Sequence, residues 1–483
     1  MLNTMLVRPG YPRCSARICL ASMVLLMLLG PATAMTAQPA ADARPVGLKV
    51  SENRRFLVHT DGTPFFYLGD TAWELYHRLN RPEADQYLEN RAKNGYTVIQ
   101  AVVVAELDGL RTPNAYGHTP FHDMDSHRPN EDYFAHVDYI VNKAASLGLY
   151  VGMLPSWGRW VGGADADRPD SDFFNAGNAA DYGRFLARRY ADKPIIWVLG
   201  GDRLADTTAA VWGEMARGIR EVVGNRQLIT FHPRGGRSSS QWFHGADWLD
   251  FHMLQSGHSA QSTNYVPVER DYALEPPKPT FDGEPAYEYP PDAMPAKRPV
   301  GALQVRRNAY WAVFAGAHGH TYGTHPIWQM YDEGRKPLWD VVTPWHQALD
   351  IPGATQLVHL KRLMLNRPYL TRIPDQSVIL SESPKGVDRI GVTRDGRPGQ
   401  DDATYILAYF PRHHRVTLNT GRVAAARLCG WWYNPRTGAA TRIGEMANGR
   451  KMDFAPPTDV EGEDWVLVLD DAGKKYPGPR SGK

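Results

Sequence analysis

Two acidic residues, Asp202 in Ile195-Ile-Trp-Val-Leu-Gly-Gly-Asp202 and Glu284 in Pro279-Thr-Phe-Asp-Gly-Glu284, each close a short apolar, strand-like run. Hydrolysis of a glycosidic bond needs two carboxyl groups flanking the scissile oxygen. A (β/α)8 barrel supplies the means to bring such distant residues together, because all its strand C-termini converge on one mouth. Each acid also has a plainer reading. Asp202 precedes the next helix and would serve equally well as its N-cap. Glu284 sits between Gly283 and Pro285, which disfavour a helix and leave a Glu no capping role. Asp282, two residues earlier, shares the face of Glu284 on an extended strand and is its partner or competitor.

Other residues near strand ends have the chemistry of a polar site. Asp70 and Trp73, in Leu68-Gly-Asp-Thr-Ala-Trp73, follow the first strand; Asp70 would bind sugar hydroxyls or cap the next helix. Glu106 and Asp108 follow the second strand and rival Asp202 for the role of acid. Arg203 would tune Asp202 or bind substrate. His232, Gln255, His258, Tyr322 and His325 read as hydrogen-bonding groups for a polar ligand. Strand one carries no H-x-H pair and no close His/Asp/Glu set has metal spacing, so neither a metal nor a cofactor is expected. The rival reading, a metal-dependent barrel hydrolase, would use the histidines as ligands. No G-x-G-x-x-G or P-loop follows strand one, and the loop 235–240 matches neither a Walker loop nor a G-x-S-x-G elbow, which leaves nucleotide and serine-hydrolase chemistry unsupported.

The elements that must position these residues alternate along the chain. Apolar runs at 65–70, 97–104, 149–154, 195–200, 227–232, 248–254, 279–282 and 318–322 read as eight strands. Helical patterns at 82–94, 131–147, 178–190, 209–223, 304–315 and 359–365 are interspersed with them. The second run, Thr97-Val-Ile-Gln-Ala-Val-Val-Val104, is apolar on both faces, as expected of a strand covered by helices in a parallel sheet. Eight strands over this length favour a (β/α)8 TIM barrel over a doubly wound sheet. From Ile373 the runs become short and alternating (377–380, 404–410, 415–418, 465–469), separated by Gly, Pro and Asp turns. They read as a small all-β sandwich. The expected organisation is a signal peptide at 1–34, a flexible leader at 35–46, a catalytic barrel at 47–370 and a β-sandwich at 371–475.

The signal reading rests on Arg8, Arg13 and Arg17 ahead of an apolar run at 18–30 and the Ala32-Thr-Ala34 cleavage pattern. That run is too short to span a bilayer, so no membrane span is expected after cleavage, and the location is periplasmic or secreted. The formal net charge of the chain is +2; removing three arginines and no acids leaves −1. Near-neutrality argues against nucleic acid as a partner. Cys429 alone remains beyond the signal and reads as a buried structural thiol.

Several longer motifs resemble the apiosidase-like glycoside hydrolases, family 140, a bacterial group acting on plant pectin. They are Tyr67-Leu-Gly-Asp-Thr-Ala-Trp-Glu-Leu75, Val104-Ala-Glu-Leu-Asp-Gly-Leu-Arg-Thr-Pro-Asn-Ala-Tyr-Gly117, Trp197-Val-Leu-Gly-Gly-Asp-Arg203, His232-Pro-Arg-Gly-Gly-Arg-Ser-Ser-Ser240, Gln255-Ser-Gly-His258 and Asp282-Gly-Glu-Pro285. The tail resembles the small β domain usual in this family, which carries a collagen-binding label. The resemblance implies a retaining exo-glycosidase with Asp202 as acid/base and Glu284 as nucleophile. It implies release of apiose from rhamnogalacturonan-II side chains, with a pectic oligosaccharide as the partner. The alternatives are the same chemistry on an arabinose or galactofuranose furanoside, and, in another class, a non-catalytic carbohydrate- or matrix-binding protein. Retention would place the two carboxyl groups about 5 to 5.5 Å apart.

Overall fold

A computed structural model describes residues 47–162 and 170–479 of the 483-residue chain. The expected signal peptide and leader lie outside the described residues. Eight parallel strands form the barrel: β1 (Tyr67–Thr71), β2 (Val98–Val104), β3 (Tyr150–Ser156), β4 (Ile195–Arg203), β5 (Ile229–Pro233), β6 (His252–Gln255), β7 (Thr280–Asp282) and β8 (Gly319–Tyr322). Their order is β5-β4-β3-β2-β1-β8-β7-β6, with a two-residue strand at Arg237–Ser238 antiparallel to β6. Between β5 and β6 the ring is completed by Asp250 N–H donating to Ile229 O (2.9 Å) and the Thr230 hydroxyl donating to Phe251 O (2.7 Å). The (β/α)8 barrel is therefore the architecture, as the alternating pattern required.

The principal helices are α1 (Arg81–Lys93), α2 (Glu131–Ser146), α3 (Ala179–Tyr190), α4 (Ala209–Val223), α5 (Tyr265–Tyr272), α6 (Ala302–Phe314) and α7 (Pro352–Leu365). Local sequence explains the start of α1. Asn80 accepts from Glu83 N–H, Glu83 reaches back to Asn80 N–H, and Pro82 occupies the first turn. The fifth helix was not anticipated, α7 begins seven residues before the expected start, and 248–251 is not strand.

Alternation about the strands decides what faces the lumen. Tyr67 of β1 points inward, where its hydroxyl donates to Gln100 Oε1 (3.0 Å) and its ring meets Phe281 at 4.5 Å. Gln100 in turn donates to Gly283 O (3.0 Å), fixing the backbone next to Glu284. Asp70 and Tyr322 point the other way, which corrects their assignment to the substrate site. Asp70 is fully buried behind the sheet, accepting from Tyr87 OH (2.5 Å) and Arg91 Nε (2.6 Å) of α1. Tyr322 donates to Glu288 Oε2 (2.6 Å). These side chains tie strands to helices and do not face the mouth.

The tail forms a six-stranded sheet and a two-stranded sheet. Its strands are β9 (Ile373–Pro374), β10 (Gly391–Arg394), β11 (Tyr405–Phe410), β12 (Val416–Leu418), β13 (Arg427–Tyr433), β14 (Ala440–Ala447), β15 (Met452–Phe454) and β16 (Trp465–Asp471). The sheet order is β9-β10-β11-β16-β13-β14, with β12 paired to β15. Ile406, Ala408 and Phe410 face a core shared with Val416, Leu418 and Phe454 of the small sheet. Tyr405, Leu407 and Tyr409 face the barrel's core. The segment 377–380, expected as a strand, instead begins in a 3-10 turn, Gln376–Val378. Cys429 lies half-buried on β13 rather than fully buried, because it falls between the inward positions Leu428 and Gly430.

Candidate active site

The end of β4 is a bulge. Gly200 pairs with His232 and Arg203 with Pro233, leaving Gly201 and Asp202 as extra residues at the mouth. Gly200, Gly201 and Asp202 all have positive φ (90°, 129° and 49°). A side chain at Gly201 would meet Gly158 N at 2.7 Å and the Trp157 ring at 2.9 Å, so glycine is required there. Asp is among the few residues that tolerate the left-handed region, at a strain of about 1–3 kcal/mol. Asp202 is not the cap of α4, whose N-cap is Thr208. That removes the capping explanation and leaves the bulge as the device that presents its carboxyl.

The Asp202 carboxyl is half-buried, accepts weakly from Gly235 N–H (3.3 Å) and lies 3.9 Å from Arg203 Nη1. Burial, and then the negative charge of Glu284, push its pKa above the ordinary aspartate value against the opposing pull of Arg203. A raised pKa is the direction that suits a carboxyl that donates a proton.

Glu284 follows β7 and is buried at 4 % exposure. Its Oε2 is 2.6 Å from His232 Nε2 and its Oε1 3.2 Å from His258 Nε2. The Tyr287 hydroxyl accepts from Trp73 Nε1 at 3.1 Å, and burial, then the Glu284 charge, raise its pKa. Burial alone would raise the pKa of Glu284, but its contacts with His232 and His258 outweigh it and hold the group well below the usual carboxylate range. Asp202 N–H donates to His232 Nδ1 (3.2 Å), so that nitrogen carries no proton, and the protonated nitrogen, Nε2, is the one that faces the Glu284 carboxylate. A single imidazole thus spans the backbone of one acid and the carboxylate of the other.

Glu106, on the loop after β2, is pushed up to about 8 by burial and then by the charges of Asp202, Glu74 and Glu284. It joins the pair as a neutral neighbour at ordinary pH. Asp108 does not join it; its half-exposed carboxylate engages Arg111 (3.5 Å) and Thr112 (3.3 Å) on its own loop. Asp282 is also excluded, as Ser256 Oγ (2.7 Å) and Asn264 Nδ2 (2.9 Å) hold it on the helix side of β7. The kink at Gly283 breaks the strand alternation, so Asp282 and Glu284 do not share a face.

The walls are aromatic. Trp73 and Trp157 lie 5.4 and 5.7 Å from the His232 ring and 5.3 Å from each other. On the other side His258, Tyr287, Tyr289, His325 and Trp339 cluster; His325 lies 4.3 Å from Tyr289 and 5.7 Å from His258. Burial drives the pKa of His325 well below the ordinary value, keeping it neutral. Trp157 Nε1 and Gln255 Oε1, both buried, have no hydrogen-bond partner in the protein, a donor and an acceptor suited to sugar hydroxyls. Among the described residues no group of three or more His, Cys, Asp or Glu is arranged to hold a metal.

Of the expected site residues, the structure gathers Asp202, Glu284, Trp73, Glu106, Arg203, His232, Gln255, His258 and His325 around one mouth. Trp157, Tyr287, Tyr289 and Trp339 were not anticipated. The run Pro285-Ala-Tyr-Glu-Tyr-Pro290 contained a signal for two of them: in extended chain Tyr287 and Tyr289 share one side, leaving Glu288 to bind Tyr322 on the other.

Comparison with known proteins shows the family and the barrel fold. The family model described as "Apiosidase-like, catalytic domain" matches residues 51–371. The one described as "Putative collagen-binding domain of a collagenase" matches 373–470. A solved structure titled as a glycoside hydrolase family 5 protein from Bacteroides vulgatus is 35% identical, with a TM-score of 0.82, covering 91% of this chain and 96% of its own. Another, titled glycoside hydrolase, is 37% identical with a TM-score of 0.82, covering 91% and 100%. Among curated proteins none matches.

Proposed function

The chain belongs to the apiosidase-like glycoside hydrolases, and from that membership we propose that it is a retaining exo-glycosidase releasing apiose from rhamnogalacturonan-II side chains in the periplasm or outside the cell. The observation that carries the reading is the split between two acids joined by His232: Glu284 is held ionised while Asp202 is raised toward its protonated form. Separated pKa values are what assign acid and nucleophile in a carboxyl pair.

In the first step Asp202 donates its proton to the glycosidic oxygen as the bond to the anomeric carbon breaks. Glu284 attacks that carbon from the opposite face and forms a glycosyl ester. In the second, Asp202 takes a proton from water, the water oxygen bonds to the anomeric carbon, and Glu284 departs as a carboxylate. Glu106, neutral and beside Asp202, adds no negative charge to the acid while it is protonated. The aromatic walls cover the apolar faces of a sugar ring, and Trp157 Nε1 and Gln255 Oε1 take its hydroxyls.

Sugar analysis of rhamnogalacturonan-II fragments tests this reading. The wild-type chain should release free apiose, and Glu284→Gln should lower the rate by at least about 10⁴-fold. Release of arabinose or galactofuranose from matched furanosides, with no apiose, would move the substrate to another furanoside. Equal rates for wild type and Glu284→Gln would remove the assignment of the nucleophile. The anomer first formed, followed by NMR, reports retention directly.

A further inference from the structure

The two histidines on Glu284 differ in what their second nitrogens meet. His232 Nδ1 receives the N–H of Asp202, so a neutral ring satisfies both of its contacts. His258, on the loop after β6, places Nδ1 3.1 Å from Pro285 O and Nε2 3.2 Å from Glu284 Oε1. A carbonyl oxygen and an ionised carboxylate only accept, and a neutral imidazole has one N–H. Both contacts are made only when the ring carries two protons.

We propose that His258 is a positioning residue held as an imidazolium against Glu284, a fixed positive charge that keeps the nucleophile ionised and favours its departure as a carboxylate in the second chemical step. This rests on the reading of Glu284 as nucleophile. The surroundings of the ring leave the charge to Glu284 alone. Tyr287, from the segment after β7, packs on it at 4.3 Å and brings no charge. His325 (5.7 Å) and Trp339 (5.7 Å), from the segment after β8, bring none either. Arg298 stands beyond Trp339, 4.6 Å from its ring, and is paired with Asp340 at 3.1 Å. Asp202 adds a weaker negative field. Burial disfavours the cation, and the bond and charge of Glu284 overcome it, raising the pKa of His258.

The pairing is lost when Glu284 becomes a neutral ester and regained as the carboxylate leaves. The cation therefore stabilises the free enzyme and the departing nucleophile over the ester. His258→Gln keeps a donor without the charge. Its acid limb in kcat/KM should rise by about one pH unit or more, since a close opposite charge lowers a carboxyl pKa by roughly that much.

The deciding experiment reads the charge itself, in long-range proton–nitrogen NMR of the full chain with ring-labelled histidine. The His258 signals are assigned by their loss in His258→Gln, or in His258→Asn should that variant fold better. Two protonated ring nitrogens at neutral pH, with a midpoint that falls by about one unit or more in Glu284→Gln, are expected. A neutral His258 at neutral pH in the wild type, or a midpoint unmoved in Glu284→Gln, overturns the proposal. The spectra need no substrate. A chain that frees no apiose yet shows the cation tied to Glu284 removes the apiosidase reading while supporting this one.

Discussion

Glu106 is the residue whose charge state most directly links this site to stability. Its pKa stands at about 8 in the fold against an ordinary value of 4.5. Between those values the unfolded chain has released the proton and the folded chain retains it. Stability therefore falls as pH rises through that window and levels off above it. Glu106→Gln, a neutral stand-in for the protonated form, should remove the fall. Thermal unfolding should place the variant level with wild type in acid and above it at alkaline pH; parallel curves would contradict the shift. The same clustering of acids explains why Glu106 looked like a rival to Asp202. Sequence could show two carboxyls after two strands, but which one was presented by a bulge and which was screened by neighbouring acids depended on partners over 90 residues away.

At the scale of elements, the bulge of β4 and the turn Trp157-Gly158 after β3 form one interlocked unit. A side chain at Gly158 would strike Gly201 O and the Arg203 side chain, just as one at Gly201 would strike Gly158 N and Trp157. Gly201→Ala should therefore destabilise the fold by about 1–3 kcal/mol. It should also displace Asp202, lowering kcat/KM on the order of 10²-fold, since small misplacements of catalytic groups are that costly. Denaturant unfolding and steady-state kinetics check the two effects; full activity with an unstrained alanine would show that the bulge does not position the acid. The strands themselves were legible because each is a compact apolar run. The direction of Asp70 and Tyr322 was not, since a strand covered on both faces gives no alternation to reveal which side is lumen.

The whole molecule behaves as barrel and tail held by buried charge as well as apolar surface. Arg306 of α6 bonds Asp464 beside β16 (2.8 Å), and Arg367 bonds Asp470 (2.8 Å), all four side chains almost completely buried. Tyr310 stacks on Tyr409 at 4.8 Å between them. Removing Arg306 leaves the buried Asp464 carboxylate with only Arg436 at 3.9 Å and the Tyr409 hydroxyl at 3.1 Å, so Arg306→Met should destabilise by up to about 3–5 kcal/mol. With a shared core, calorimetry should show wild type unfolding in one transition. Two transitions in the wild type, or an unchanged Tm in Arg306→Met, would show that the pair does not couple the domains.

Local pattern determined the eight strands, most helices, the all-β tail and the two motifs holding Asp202 and Glu284, because periodicity, glycine placement and residue chemistry are properties of neighbouring positions. Tertiary structure alone decided that Asp70, Asp282 and Tyr322 brace helices and loops outside the mouth, that Trp157 and Trp339 line it, and that one imidazole joins the two acids. Those outcomes turn on which face of a strand is the lumen and on charges brought together across the barrel. The ionisation of Glu284, Asp202 and Glu106 belongs with them, since burial and partner distance, and not residue type, move a carboxyl away from its ordinary pKa.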